Sequence, residues 1–236
     1  MPDLVQGFLL YGVFLVSTVL HEAAHAWAAL RGGDRTAYEG GQVTLNPMPH
    51  IRRSPFGMVI LPVMSVLASG WPIGFASVPY NREWARRHPK RAGWMALAGP
   101  GANLFLILLA ALFINLGVIG GVFYAPDTIG FADVTAVTAG AASFWQPVAS
   151  VLGAVFALNL LLFVFNLLPI PPLDGHSALL SGFPGPSVER WQDFLAMQPG
   201  VMWIGIFLAW KLFDEVFDPV FVIAISALYP GVTYGR

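Results

Sequence analysis

Four long apolar runs divide the chain, at about 4–30, 92–118, 147–168 and 199–228. Crossing a hydrocarbon core of about 30 Å takes roughly 20 mostly apolar residues in helical form, so each run is long enough to span a bilayer. The second and third carry no charge. The fourth is broken by Lys211, Asp214, Glu215 and Asp218, so its second half is expected either to bend across the bilayer or to lie at its surface. A fifth stretch, 56–78, is punctuated by Pro62, Gly70, Pro72 and Gly74, with Pro79 just beyond, which argues against a single straight helix.

The basic residues place these runs relative to one another. Nine of the twelve Lys and Arg residues sit in the two loops that flank 56–78: Arg31, Arg35, Arg52 and Arg53 before it, and Arg82, Arg86, Arg87, Lys90 and Arg91 after it. The 119–146 connection has none. Basic loops favour the cytoplasmic side, so both flanks of 56–78 are expected there and the 119–146 loop outside. A stretch with both ends on one side dips in and returns, as a re-entrant helix with a short extended loop shielded by neighbouring helices. The first run lacks a basic leader and a small-residue cleavage site, and is expected to be a permanent helix.

Composition agrees with this layout. The chain has 236 residues, 56% apolar and only 11% charged. A water-facing domain carries about 25% charged residues. The expected fold is an all-α polytopic membrane protein, one domain over 1–236, with four to five transmembrane helices plus the re-entrant element. A net charge of −1 excludes the concentrated basic surface that nucleic-acid binding needs. With no cysteine, disulfides and thiolate metal sites are excluded, and any metal must be held by His, Asp or Glu.

The first run ends in His21-Glu22-Ala23-Ala24-His25. Histidines four apart share one helical face, so both imidazoles can reach one metal, and the glutamate between them can act on a metal-activated water as general base. Ionisable residues inside a membrane helix are costly and usually functional. The plain alternative is a polar cluster at a helix end reaching into the headgroups. Zinc in a hydrolytic site takes three protein ligands and keeps one position open. The third run ends in Asn166 through Gly175, on the same side as His21 and His25 by the topology above. Asp174 is the only acid between Asp133 and Glu189, and is either the third ligand or a cap for the segment that follows.

Taken together, His21-Glu22-Ala23-Ala24-His25, Gly99-Pro100-Gly101-Ala102-Asn103 and Asn166 through Gly175 resemble, in order and spacing, three signatures of the site-2 protease family. The resemblance covers roughly 10–180 and is nearest to the small bacterial and archaeal members without a PDZ domain. Asn46-Pro47-Met48-Pro49-His50 and the Gly70-Trp71-Pro72 loop match further features of those members. It implies one Zn2+ per chain held by His21, His25 and Asp174, with Glu22 as catalytic base. It also implies hydrolysis, by zinc-activated water, of peptide bonds in or next to transmembrane segments of membrane proteins. Asn103 either orients substrate or the oxyanion, or makes a hydrogen bond between helices. The partners implied are a transmembrane substrate and the lipid bilayer, with no nucleic acid. The location implied is the cell membrane, multi-pass, with the active site toward the cytoplasm. The chain departs from the pattern at Ile51-Arg52-Arg53, where an acid is expected, and at Pro49 before His50.

His50 is expected as an interfacial loop residue, His176 as a surface residue past a turn, and His88 as a solvated loop residue. Trp84, Trp94, Trp145 and Trp191 read as an aromatic belt at the interfaces. Two other functions compete: a metal transporter, which needs ligands in series toward both faces, and a catalytically silent helix-binding pseudoprotease, for which Glu22 has no use.

Overall fold

The computed structural model describes residues 3–131 and 133–232. Its centre is three long helices, α1 (Leu4–Gly32), α6 (Pro89–Ile119) and α7 (Trp145–Leu167), with α6 packed against both others. α1 starts where the Asp3 carboxylate accepts the Gln6 N–H, and ends at Gly33, whose φ of +100° lets its N–H reach back to the Ala29 and Leu30 carbonyls. Lipid offers no hydrophobic drive between helices, so close backbone approach has to supply the contact. The facing positions are accordingly small: Gly93, Ala96, Gly99 and Ala110 on α6, Gly153, Ala154 and Ala157 on α7. These three helices are each long and apolar enough to cross a membrane, and two bent pairs raise the number of candidate spans to five. The chain is an all-α polytopic membrane protein.

Between α1 and α6 the chain forms α2 (Thr36–Glu39), α3 (Pro47–Arg53), a π-helical turn (Phe56–Ile60), α4 (Leu61–Ser69) and α5 (Arg82–Arg87). α3 and the Phe56–Ser69 helix meet at 111°, the shape of a broken span or of a re-entrant loop. α4 stops at Gly70, at φ +78°, and 72–80 follow in neither helix nor strand. That segment lies directly on the π-helical turn. Phe75 N–H donates to Gly57 O at 3.0 Å, and a Cβ on Gly74 would stand 2.4 Å from the same carbonyl oxygen. Arg53, one of the two arginines that depart from the family pattern, donates from Nε to Ser77 O at 3.0 Å and pins the segment from the α3 side.

After α6 come two short antiparallel strands, β1 (Phe123–Tyr124) and β2 (Ala136–Val137), with Phe123 opposite Val137. α7 leads into α8 (Asp174–Ser181), then α9 (Pro186–Met197) and α10 (Pro199–Leu228). α10 differs from the broken run expected: it is one helix of 30 residues that continues through Pro219. Lys211, Glu215 and Asp218 are exposed while Phe217 and Ile225 face the α6–α7 core. Charge on one face marks which side is wet or lipid-exposed, and does not interrupt helical hydrogen bonds.

Trp84 also differs from its expected place in an interfacial belt. It is buried against Ala29 and Met95, and its indole N–H donates to Gly32 O at 3.1 Å, closing the end of α1. Trp94, by contrast, is exposed. The same corner is tied by Asp34. Its Oδ1 accepts Thr36 N–H and hydroxyl, and its Oδ2 accepts Asn81 N–H at 2.7 Å, joining the end of α1 to the start of α5. Burial alone would raise the Asp34 pKa, but these hydrogen bonds outweigh it and hold the carboxyl below its ordinary 3.8. The stabilisation is therefore present at neutral pH and is lost as pH falls through the lowered value. Asp34→Ala is expected to cost about 1.5–3 kcal/mol at neutral pH, read as earlier thermal unfolding in detergent, with the gap to the native chain closing below pH 3.8.

Candidate active site

His21 and His25 lie in the C-terminal half of α1, on the face turned toward α6, and both are buried. Asp174 reaches them from the start of α8. The turn before it is closed by Leu173 N–H to Ile170 O at 2.9 Å. Gly175 then lets α8 press against the end of α7, where a Cβ would stand 2.1 Å from Leu167 O. The N-cap position of α8 is Leu173, and Asp174 stands in its first turn.

Three atoms converge. His21 Nε2 and His25 Nε2 are 2.9 Å apart, and Asp174 Oδ2 is 3.1 Å from the first and 3.3 Å from the second. Hydrogen bonds on the far side of each ring set what these atoms are. His21 Nδ1 faces Asn103 Oδ1 at 2.6 Å and His25 Nδ1 faces Met95 O at 2.6 Å. Both partners are acceptors, so both Nδ1 atoms carry the proton and both Nε2 atoms present lone pairs. Asp174 Oδ2 is buried and has no hydrogen-bond donor. Two lone pairs and a carboxylate oxygen facing one another require a cation among them, either a proton or a metal ion. Among the described residues this is the only His/Asp/Glu group arranged to hold a metal.

The donor set fits zinc. Two imidazole nitrogens and a carboxylate are a hydrolytic zinc set, and ligands at about 2.0–2.2 Å in tetrahedral arrangement stand roughly 3.3–3.5 Å apart, just beyond the spacings here. Room for an ion is left by Gly99. A Cβ at that position would lie 2.2 Å from His25 Nε2 and 2.5 Å from His21 Nε2. Gly101 faces open space, and Gly99 faces the histidine pair.

Glu22, His25 and Asp174 line one cleft of about 600 Å³, whose walls include Arg53, Arg82 and Arg86. The 72–80 segment contributes Ala76, Ser77 and Val78 to the same cleft. Asn103 is fully buried behind His21, with Nδ2 donating to Asn159 Oδ1 at 2.9 Å, so both ends of its amide are engaged. Asn159 and Ser17 complete this polar group, and sequence reasoning missed both. The available signal was an amide midway along a charge-free apolar run, a position that lipid makes costly unless it is partnered.

Two histidines differ from expectation. His50 is 1% exposed, buried midway along α3 with Nε2 on Thr44 O at 3.0 Å, and is no interfacial loop residue. His176 is half-buried on the cleft wall and accepts the Trp191 indole N–H at 3.0 Å. Trp191 is thereby a tie between α8 and α9 as well as a partly exposed aromatic.

The profile of Peptidase family M50 matches residues 9–206. The chain is 30% identical over 225 residues to "Putative zinc metalloprotease YwhC" of Bacillus subtilis (strain 168), covering 87% of this chain and 91% of that one. It is 31% identical over 214 residues to "Putative zinc metalloprotease Rip2" of Mycolicibacterium smegmatis (strain ATCC 700084 / mc(2)155), covering 85% and 68%. Rip2 of Mycobacterium tuberculosis (strain ATCC 35801 / TMC 107 / Erdman) is 32% identical over 184 residues, 75% of this chain and 61% of that one. No solved structure matches the chain. With apolar spanning helices around a His/His/Asp cluster and a family match across most of its length, the chain belongs to Peptidase family M50, the site-2 proteases, and is a multi-pass membrane zinc metalloendopeptidase.

Proposed function

We propose that this chain hydrolyses peptide bonds in or next to transmembrane segments of other membrane proteins, with His21, His25 and Asp174 holding one zinc ion per chain and Glu22 as general base. The convergence of three lone-pair donors at the cleft that Glu22 lines carries this reading. A zinc ion there supplies Lewis acidity to water and to a peptide carbonyl. Glu22 takes the proton from the attacking water on its carboxylate and passes it to the departing amine. Met95 O and Asn103 hold the two imidazoles with their lone pairs turned to the ion. The whole of 1–236 is read as one domain, because α10 shares its core with α6 and α7.

A substrate helix must unwind locally, since its own hydrogen bonds hide its carbonyls. The segment 71–80 supports pairing with the unwound strand. Exposed and half-buried residues alternate from Ile73 to Val78, and the N–H groups of Ala76 and Val78 bond to nothing among the described residues. An extended chain with free backbone groups beside the cleft is a site for strand addition. The cleft carries Arg53, Arg82 and Arg86, so the positive-inside tendency supports a cell-membrane protein with its site toward the cytoplasm. One ligand cluster at one depth, among the described residues, argues against a transporter. The presence of Glu22 argues against a silent binder.

Four outcomes are expected of detergent-purified protein. Native chain carries about one zinc by elemental analysis, and His21→Ala and Asp174→Ala lose it. Zinc absent from native protein even after resupply would overturn the assignment. Gly99→Ala folds, as judged by helical circular dichroism, and fails to retain zinc; full zinc retention would show that the ion does not sit where the methyl group goes. Glu22→Gln keeps zinc while cleavage of a single-span peptide panel falls by at least about 10²-fold, and an undiminished rate would remove it as base. Ala76→Pro deletes an N–H that has no partner among the described residues, and is expected to slow cleavage at least about tenfold; an unchanged rate would sink the strand-pairing reading.

A further inference from the structure

We propose that Asn159 is a positioning residue for the metal site: acting through Asn103, it fixes His21 in the tautomer whose Nε2 offers a lone pair. This rests on the reading above that His21 binds zinc. Asn159 lies on α7, fully buried and outside the cleft. Its Nδ2 donates to Val155 O at 2.8 Å and to Ser17 Oγ at 2.9 Å, and its Oδ1 accepts from Asn103 Nδ2 at 2.9 Å. Asn103 Oδ1 then stands 2.6 Å from His21 Nδ1.

Only one proton arrangement satisfies this line. A backbone carbonyl can only accept, so Val155 O requires the NH2 end of Asn159. That turns Asn159 Oδ1 toward Asn103, which must answer with its own NH2. Asn103 Oδ1 is left facing His21, which must answer with Nδ1–H. Reversing either amide would set two oxygens, or two N–H groups, against each other in a buried site with no water to answer them. The direction set by one carbonyl on α7 is thus passed through α6 to a ring on α1. The line also closes on itself, because Ser17 lies one helical turn before His21 on α1. Each of the three central helices contributes a side chain at the same level.

Without Asn159 the Asn103 amide is free to turn and present NH2 to His21 Nδ1. The ring proton then moves to Nε2, and the lone pair faces away from the metal site. Asn159→Leu is therefore expected to weaken zinc affinity about 10–100-fold, the usual effect of removing a partner that orients a ligand. Asn159→Asp should restore affinity to near the native value, since a neutral carboxyl accepts at one oxygen and donates at the other. Ser17→Ala should have a smaller effect, because Val155 O still sets the orientation.

The test is chelator-competition zinc titration of native, Asn159→Leu, Asn103→Leu and the double variant. It is paired with 15N NMR of histidine ring nitrogens in metal-free protein, at a pH where the rings are neutral. The expected result is a double variant no weaker than Asn103→Leu alone, with His21 wholly Nδ1–H in native protein and mixed in Asn159→Leu. Multiplying losses would mean that Asn159 acts independently of Asn103 and would overturn the proposal. So would a native His21 protonated at Nε2, a result that requires no variant to fold. If native protein takes up no zinc, the zinc reading fails; if it binds zinc and Asn159→Leu binds as tightly, only this inference fails.

Discussion

Three electron-rich atoms aimed at one point repel one another, and the rest of the molecule is organised around holding them there. The Nε2 atoms of His21 and His25 and Oδ2 of Asp174 come from two separate parts of the chain, and a medium of low dielectric makes their mutual repulsion larger than it would be in water. Cation binding is the compensation. Everything close to the group either aims these atoms or keeps space between them. Met95 O and Asn103 turn the rings, Gly175 brings α8 against α7, and Gly99 withholds a side chain from the centre.

The membrane imposes a second constraint that reinforces the first. A polar group in lipid has no water to fall back on, so every one must be matched inside the protein. Ser17, Asn103 and Asn159 would destabilise the helix bundle singly. Linked, they place a directional hydrogen-bond line among otherwise apolar helices, where Gly and Ala give closeness without specifying rotation. A polar line of this kind sets which face of each helix turns inward. The same economy appears at the corner after α1, where Asp34 accepts the Asn81 N–H and Trp84 donates to the Gly32 carbonyl.

Much of this architecture was readable from local pattern. The three central helices announce themselves by unbroken apolar length, and the re-entrant element by prolines and glycines between two basic flanks. The His21–His25 spacing reveals a shared helical face without any knowledge of tertiary structure. What could not be read depends on how helices face each other. Asn159 looks like an isolated amide until α6 is placed beside it. His50 looks like a loop residue until α3 folds beneath it, and Gly99 looks like a packing glycine until the rings opposite are known. The fourth apolar run was misjudged for a different reason: its charges were weighed as a break in the helix, when Lys211, Glu215 and Asp218 are exposed along an unbroken one.

The position of Asp174, far along the chain from the HExxH pair, has a consequence for biogenesis. A chain still emerging from the ribosome can insert α1 and present both histidines and Glu22 long before α8 exists. Until α7 and the proline-rich turn behind it have formed, Asp174 is missing from beside His21 and His25 and the cleft lacks a wall. An unfinished chain therefore holds the histidine face without the carboxylate that meets it. The three side chains come together only once α8 has packed against α7, and α10 joins the core after that.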